Sequence, residues 1–203
     1  MKSKRTGTIL MTMGGVLLAA ALLLTCYNFY EAQRASLASQ ELLPDIQKEI
    51  IQKKTEDAPA EHINPYEEDA YAMTEVTIDG YSYIGYLSIP ALQIELPVMS
   101  AWDETRLKIA PCRQFGSTKS DDLVIAGHNY RRHFGKLSRL DIYDRIQFVD
   151  MDGELSTYQI GMIDIIPAKA TDIVKNSDWD IVLYTCTFRG NKRVMVGASR
   201  ISE

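Results

Sequence analysis

The chain has 203 residues, of which 46% are apolar and 24% charged, a composition that suits a folded core with an ordinary charged surface. With a formal net charge of −5, the chain lacks the excess of basic residues that is typical of proteins that bind nucleic acid, which argues against such a partner. The cysteines Cys26, Cys112 and Cys186 are odd in number and widely spaced, so they indicate neither a disulfide framework nor a zinc site.

Near its N-terminus the chain has an apolar segment, Thr8 to Tyr27, which contains no charged residue. A helix of about twenty such residues spans the hydrocarbon core of a membrane. Three basic residues precede this segment: Lys2, Lys4 and Arg5. The positive-inside rule therefore predicts that the N-terminus lies in the cytoplasm. A signal peptide would have a shorter apolar run and a small-residue cleavage site, and Thr25 is a poor residue before a lipidated Cys26. We predict that residues 1–30 form a cytoplasmic tip and an uncleaved single-pass transmembrane anchor.

Residues 31–75 are predicted to form an extracellular linker, helical at first and then acidic. A helix is predicted from residue 28 to about residue 55, and Pro44 is expected to interrupt it. The apolar residues near one face that favour this helix are Leu37, Leu42, Ile46 and Ile50. Glu56 to Asp79 holds eight acidic residues and no Lys or Arg, which is typical of a solvated stalk.

From residue 76 to 203 the pattern predicts a mainly β catalytic domain of about 130 residues, the usual size of one domain. Tyr83 to Ile89 alternates like a strand and is stopped by Pro90. Further strands are predicted at Leu92–Met99, Leu123–Ala126, Arg145–Val149, Thr157–Ile166, Ile181–Tyr184 and Arg193–Ile201, and short helices at Asp103–Ile109 and Phe134–Leu140. Short strands separated by Gly, Asp and Asn turns favour a closed or sandwich-like β domain.

Cys186 and His128 each stand where an apolar strand runs out into a polar loop. A thiol is only a few per cent thiolate at neutral pH, and a neighbouring imidazole can accept its proton and later protonate a leaving amine. Gly127 would let another backbone or a substrate approach closely. His62, in the acidic stretch, and His133, in a predicted surface run, are interpreted as incidental.

Arg193 opens the last predicted strand, seven residues after Cys186. A tight hairpin would bring this strand back beside the cysteine, where a guanidinium could stabilise the oxyanion of acyl transfer. Arg189, near the hairpin tip, and Arg200, a strand's length away, are the rival candidates for this role.

The ordered set of these segments resembles the sortase family. The resemblance rests on five segments: residues 85–90 together with residues 96–98; residues 124–129, which end in Gly127-His128-Asn129; Phe134-Gly135-Lys136-Leu137; Tyr184-Thr185-Cys186-Thr187; and residues 193–196. It implies a β-barrel cysteine transpeptidase on the outer face of a Gram-positive membrane. The calcium-binding acidic loops of some members cannot be matched to positions in this sequence, so we predict no metal and no cofactor. Cys186 would be the nucleophile, His128 the acid and base, and Arg193 the oxyanion stabiliser, while Thr185 would contact the substrate.

The resemblance also implies the partners and reaction. The enzyme would cleave an LPXTG-like C-terminal sorting signal of secreted proteins at a Thr–Gly bond through a thioacyl intermediate. An amine of a peptidoglycan cross-bridge or lipid-linked precursor, or a pilin lysine, would then accept the acyl group.

Pilin-polymerising members usually carry arginine after the histidine, a lid with an Asp-Pro-aromatic motif and a second, C-terminal membrane helix. Asn129 follows His128 here, no C-terminal membrane helix is present, and Asn64-Pro65-Tyr66 is a degenerate lid motif at best. Single-substrate anchoring is therefore favoured over pilus assembly.

Two alternatives remain open at this point. One is a different cysteine peptidase: the order of His128 and Cys186 is caspase-like rather than papain-like, but the caspase signature around the cysteine is absent. The other is a non-enzymatic membrane-anchored β domain that binds a surface partner, in which Cys186 would react no faster than Cys112.

Overall fold

The fold, in a computed structural model that describes residues 2–56, 71–169, 171–187 and 190–202, is a closed β-barrel preceded by one long helix. The helices and strands are α1 (Lys2–Glu56), β1 (Val76–Ile78), β2 (Tyr81–Ile89), β3 (Ile94–Met99), β4 (Cys112–Phe115), β5 (Leu123–Gly127), β6 (Arg145–Asp150), β7 (Leu155–Pro167), α2 (Thr171–Lys175), β8 (Ile181–Cys186) and β9 (Lys192–Arg200). Short 3-10 helices lie at Pro90–Leu92, Arg106–Lys108 and Phe134–Arg139.

The strands are ordered β1-β2-β3-β4-β5-β8-β9-β7-β6, and an additional pairing of β2 with β6 closes the ring. The closed ring comprises β2 to β9, and β1 adds to the start of β2. Where β2 meets β6, a side chain on Gly85 would overlap the Val149 backbone, and its φ of 141° lies in the region that favours glycine. The closed-barrel prediction is confirmed, and the sandwich alternative is excluded.

β5 and β8 are buried on both faces, which explains why they are continuous apolar runs. Successive side chains of a strand point to opposite faces. Leu123 and Ile125 of β5 accordingly join the barrel interior, whereas Val124 packs in a separate outer cluster near α2. The outward-facing residues of these two strands therefore form an apolar surface on which segments outside the barrel, such as α2, pack.

Helix α1 covers part of the barrel's outer surface. Ile46 and Ile50 are buried against residues of β2, β3 and β4, and Lys53 forms a 2.7 Å salt bridge with Asp152. The predicted interruption at Pro44 is wrong, because the helix continues through this exposed position. A proline removes one helical hydrogen bond, and the packing of Ile46 and Ile50 just beyond it stabilises the helix that continues past this position.

The short elements differ most from the sequence predictions. The sequence pattern does not predict β1, β4 or α2, and the helix expected at Asp103–Ile109 is reduced to a 3-10 turn at Arg106–Lys108. These segments have only three to five residues, too few for a hydrophobic period to be recognised. Residues 57–70, with most of the acidic stretch, His62 and the degenerate lid motif, lie outside the described residues.

The predicted division at 30/31 and 75/76 stays a prediction. α1 runs without a break across the first boundary, and β1 begins at the second. α1 contains a stretch long and apolar enough to cross a membrane, and none of that stretch is buried in the fold. The prediction that His133 belongs to an exposed run is wrong, because its side chain is fully buried.

Candidate active site

The parallel pairing of β5 with β8 brings His128 and Cys186 together. The register pairs Gly127 with Thr185, so the next residue on each strand, His128 and Cys186, follows at the same edge of the sheet. The antiparallel pairing of β8 with β9 then sets Arg193 directly opposite Cys186. His128, which is distant in sequence, thus meets Cys186 and Arg193 at neighbouring strand ends.

All three side chains point away from the barrel interior. Ile181 and Leu183 of β8 belong to the interior core, so the alternation puts Tyr184 and Cys186 partly on the outer face. His128, Cys186 and Arg193 line one cleft of about 290 Å³ on that face. The chemistry-bearing groups therefore share a single solvent-connected site.

Gly127 and Thr185 hold the two strand ends in place. A Cβ on Gly127 would overlap the Phe134 ring, with the ring Cγ at 2.7 Å, so glycine admits this aromatic side chain rather than a second backbone. Thr185 is buried, and its hydroxyl donates a 2.7 Å hydrogen bond to the Gly127 carbonyl. Thr185 also lines the cleft, and substrate contact through it stays a prediction.

The environment of His128 favours its neutral form. Burial, the largest influence, lowers the pKa of His128 below its ordinary value; the Glu104 carboxylate opposes this, and Lys108 adds to it. Its Nε2 is buried and has no hydrogen-bond partner among the described residues, and its ring lies 4.8 Å from that of Tyr130, centroid to centroid. A neutral imidazole with a free nitrogen can accept a proton from a neighbouring thiol.

Arg193 is half-buried, and its Nη1 donates hydrogen bonds of 3.2 Å and 3.3 Å to the Gly190 and Lys192 carbonyls. These bonds lie along the turn between β8 and β9, which a 2.9 Å bond from Thr187 N to the Lys192 carbonyl closes. The hairpin predicted from the sequence is therefore present.

The rival arginines are placed differently. Arg200 lies away from the cleft, paired at 2.7 Å with Asp121 and stacked over the Tyr158 ring at 5.1 Å, so its contacts are structural. Arg189 lies outside the described residues.

The environments of Cys112 and Cys186 differ. Cys112 is fully buried, its Sγ lies 3.4 Å from the Ala110 carbonyl, and burial raises the pKa of its thiol to about 12. Cys186 is only partly buried and borders the cleft. A buried protonated thiol is unreactive, so these environments separate the two cysteines.

Sequence reasoning missed the walls of the cleft. Trp102, Glu104 and Leu107 come from the connection between β3 and β4. Further lining residues come from the end of β7 (Ile166 and Pro167), from Ala168 just after it, and from Val174 of α2. Tyr184 and Gln114 complete it, with the Tyr184 hydroxyl donating to Gln114 Oε1. None of these residues carries a local motif, and only tertiary contact identifies them. Among the described residues, no group of three or more His, Cys, Asp or Glu could hold a metal ion.

Comparison with known proteins identifies relatives of this site and fold. The Sortase domain family model matches residues 87–201, the span from β2 to the end of β9. The chain is 26% identical over 184 residues to a protein named sortase A from Bacillus anthracis, a match that covers 88% of this chain and 83% of that protein.

Solved structures share the fold at lower sequence identity. A Clostridium perfringens sortase D5 transpeptidase has a TM-score of 0.59 at 18% identity, covering 81% of this chain and 99% of that one. Sortase C1 from Streptococcus agalactiae has a TM-score of 0.55 at 24% identity, covering 82% and 98%. Sortase C from Clostridium perfringens with the C-terminal cell wall sorting motif has a TM-score of 0.53 at 19% identity, covering 80% and 91%.

Proposed function

The chain belongs to the sortase family of cysteine transpeptidases, and we propose from this that it anchors secreted proteins to the cell wall. Its substrate would be an LPXTG-like sorting signal at the C-terminus of those proteins, and its acceptor an amine of the peptidoglycan cross-bridge or of a lipid-linked precursor. A related structure was solved with the C-terminal cell wall sorting motif, which supports this substrate class.

The observation that carries the proposal is the register of β5, β8 and β9, which gathers His128, Cys186 and Arg193 at one cleft. Cys186 Sγ attacks the carbonyl carbon of the scissile Thr–Gly bond while His128 takes the thiol proton. Arg193 stabilises the negative oxygen that develops. The intermediate collapses, the C–N bond breaks, and His128 protonates the departing amine, which leaves a thioester on Cys186.

A second amine completes the reaction. It attacks the thioester carbonyl, His128 accepts the proton that the amine loses, and the C–S bond breaks as the new amide forms. The departing sulfur recovers its proton from His128, so the enzyme returns to its initial state. Partial burial lowers the pKa of His128, which supports this role because the imidazole must begin each half-reaction unprotonated.

The proposed location is the outer face of the cell membrane, with residues 1–30 as a single-pass anchor and the N-terminus in the cytoplasm. The apolar part of α1 supports the anchor, and the basic residues that precede it support the orientation. Mass measurement of the mature protein tests the anchor: the full N-terminus is expected, whereas a species that starts at a modified Cys26 would show a lipoprotein instead.

The activity is tested with the full-length chain in nanodiscs and a panel of sorting-signal peptides. Triglycine, diaminopimelate and a pilin-type lysine peptide serve as acceptors, and ligated product is detected by mass. Ligation to a wall-type amine is expected, with none from Cys186→Ala. Ligation to the lysine peptide alone would favour the pilin-polymerising alternative. No ligation, together with equal alkylation of Cys186 and Cys112 by a thiol probe, would favour the non-enzymatic one.

A further inference from the structure

A second cleft, of about 280 Å³, lies between α1 and the barrel. Ser36, Ser39 and Gln40 of α1 form one wall, residues 92–96 form the floor, and the loop after β5 forms the other wall. Three cations lie on this side: Arg131 and Arg132 of the loop, and Lys136 of the 3-10 helix that follows it. We call this cleft the basic cleft. Glu95 is its single acidic lining residue, so the local charge is positive in a chain whose net charge is −5.

The three cations are available to a ligand. Within the described part of the chain, Arg131, Arg132 and Lys136 have no salt bridge or hydrogen bond through their side chains. Some cations of the fold are paired, such as Arg113 with Glu75 at 3.0 Å and Arg200 with Asp121 at 2.7 Å, whereas these three are unpaired and line the same cleft. Unpaired guanidinium groups that face one cleft are suited to phosphate, which accepts their forked donors.

A buried hydroxyl provides independent support. Ser36 is only 3% exposed, it lines the basic cleft, and its Oγ has no hydrogen-bond partner among the described residues. A buried polar group without a partner is costly to the fold. A ligand oxygen in the cleft would accept a hydrogen bond from the Ser36 hydroxyl and remove this cost.

The loop that carries both arginines is held in one conformation. His133 N and Gly135 N both donate to the Tyr130 carbonyl at 3.0 Å, and Phe134 N donates to the His128 carbonyl at 3.1 Å. Because the backbone is fixed by these bonds, little ordering is needed when a ligand binds between the two guanidinium groups.

The position of the cleft along α1 indicates the source of the phosphate. Ser36 and Gln40 lie six and ten residues beyond Tyr30, which ends the predicted anchor, and a helix rises 1.5 Å per residue, so they stand roughly 9–15 Å from it. Ala35 is the first buried residue of α1, so the basic cleft lies beside the part of the helix that first packs on the barrel beyond the proposed membrane anchor. We propose that the basic cleft binds the phosphate of an anionic lipid headgroup at the outer membrane surface, an inference that rests on the proposed anchor.

The test uses the full-length chain in nanodiscs of phosphatidylcholine with increasing phosphatidylglycerol, and native mass spectrometry counts the lipids retained. The wild type should retain phosphatidylglycerol in preference to phosphatidylcholine. The variant R131Q/R132Q/K136Q should bind it about a hundredfold more weakly, at roughly fivefold for each cation lost near an anionic surface. The control K48Q/R139Q/K175Q removes three exposed cations outside the cleft and should retain the wild-type preference.

Each outcome is informative. If only the cleft variant loses the preference for phosphatidylglycerol, the proposal is supported. If the triple variant does not fold, the single variant Arg132→Gln replaces it and should bind the lipid about fivefold more weakly. Equal loss in the control variant would show a general charge effect and overturn it, as would a wild-type chain without preference. Binding of inorganic phosphate in pure phosphatidylcholine discs with the affinity of the lipid would overturn the lipid assignment. A chain that enters neither kind of disc would refute the anchor itself.

Discussion

The contact beneath α1 predicts that acid weakens this protein through His133. The His133 ring is fully buried, and its Nε2 lies 3.1 Å from Ser39 Oγ. The Ser39 hydroxyl itself donates a 2.7 Å hydrogen bond to the Ile109 carbonyl. Nε2 must therefore carry the hydrogen that Ser39 accepts. Nδ1 is buried and makes no hydrogen bond to the described residues, so only the nearby Ala35 carbonyl partly offsets the cost of protonating the ring.

The magnitude follows from the pKa of His133. Burial, the largest cause, lowers this pKa from 6.5 to about 4; the Ala35 carbonyl opposes the change, and the nearby His128 adds to it. Above pH 6.5 neither the folded nor the unfolded state binds the proton, and the full stability is present. Below pH 6.5 the unfolded state binds it first, so stability falls until about pH 4. Each pH unit in that window is worth about 1.4 kcal/mol, which gives a total loss of about 3 kcal/mol.

The assay compares guanidinium unfolding of the full-length wild type and His133→Gln in nanodiscs at several pH values, followed by tryptophan fluorescence. Glutamine keeps a donor for Ser39 but does not titrate, so the variant should lose about 3 kcal/mol less than the wild type between pH 6.5 and 4. The comparison cancels the contribution of His128, whose pKa is also lowered. His62→Gln, in the predicted acidic linker, should keep the wild-type slope. Equal slopes for the wild type and His133→Gln would refute the reasoning.

Three further predictions concern the candidate active site. Cys186→Ala should abolish both peptide cleavage and transfer, whereas Cys112→Ala should keep most activity because that thiol is buried and protonated; a thioacyl adduct on Cys112 detected by mass would contradict this. Arg193→Lys should slow acylation in stopped-flow assays about a hundred- to a thousandfold, with unchanged circular dichroism, because lysine lacks the planar fork; near-full turnover would remove Arg193 from the mechanism. Gly127→Ala should lower the free energy of unfolding by about 1–3 kcal/mol, measured by denaturant titration, because its methyl group overlaps the Phe134 ring; unchanged stability would show that the ring can move aside.

The sequence alone determined the elements with a strong pattern. The apolar runs at 123–126 and 181–184 are strands β5 and β8, and each ends beside a residue that can do chemistry, His128 or Cys186. The chain order of strands, turns and these residues was enough to indicate the family, because periodicity and turn chemistry are local properties. The long apolar segment near the N-terminus is local in the same sense.

Only the tertiary structure decided which distant surfaces meet. Trp102 and Val174 line the cleft with Cys186 because two separate connections fold over the outer face of the barrel, and nothing near them in sequence records this. The arginines that precede His133 predict an exposed position, yet α1, nearly a hundred residues earlier in the chain, packs over its ring. Burial depends on what packs against a residue, and packing between distant segments is set by the closed barrel and the docked helix rather than by local pattern.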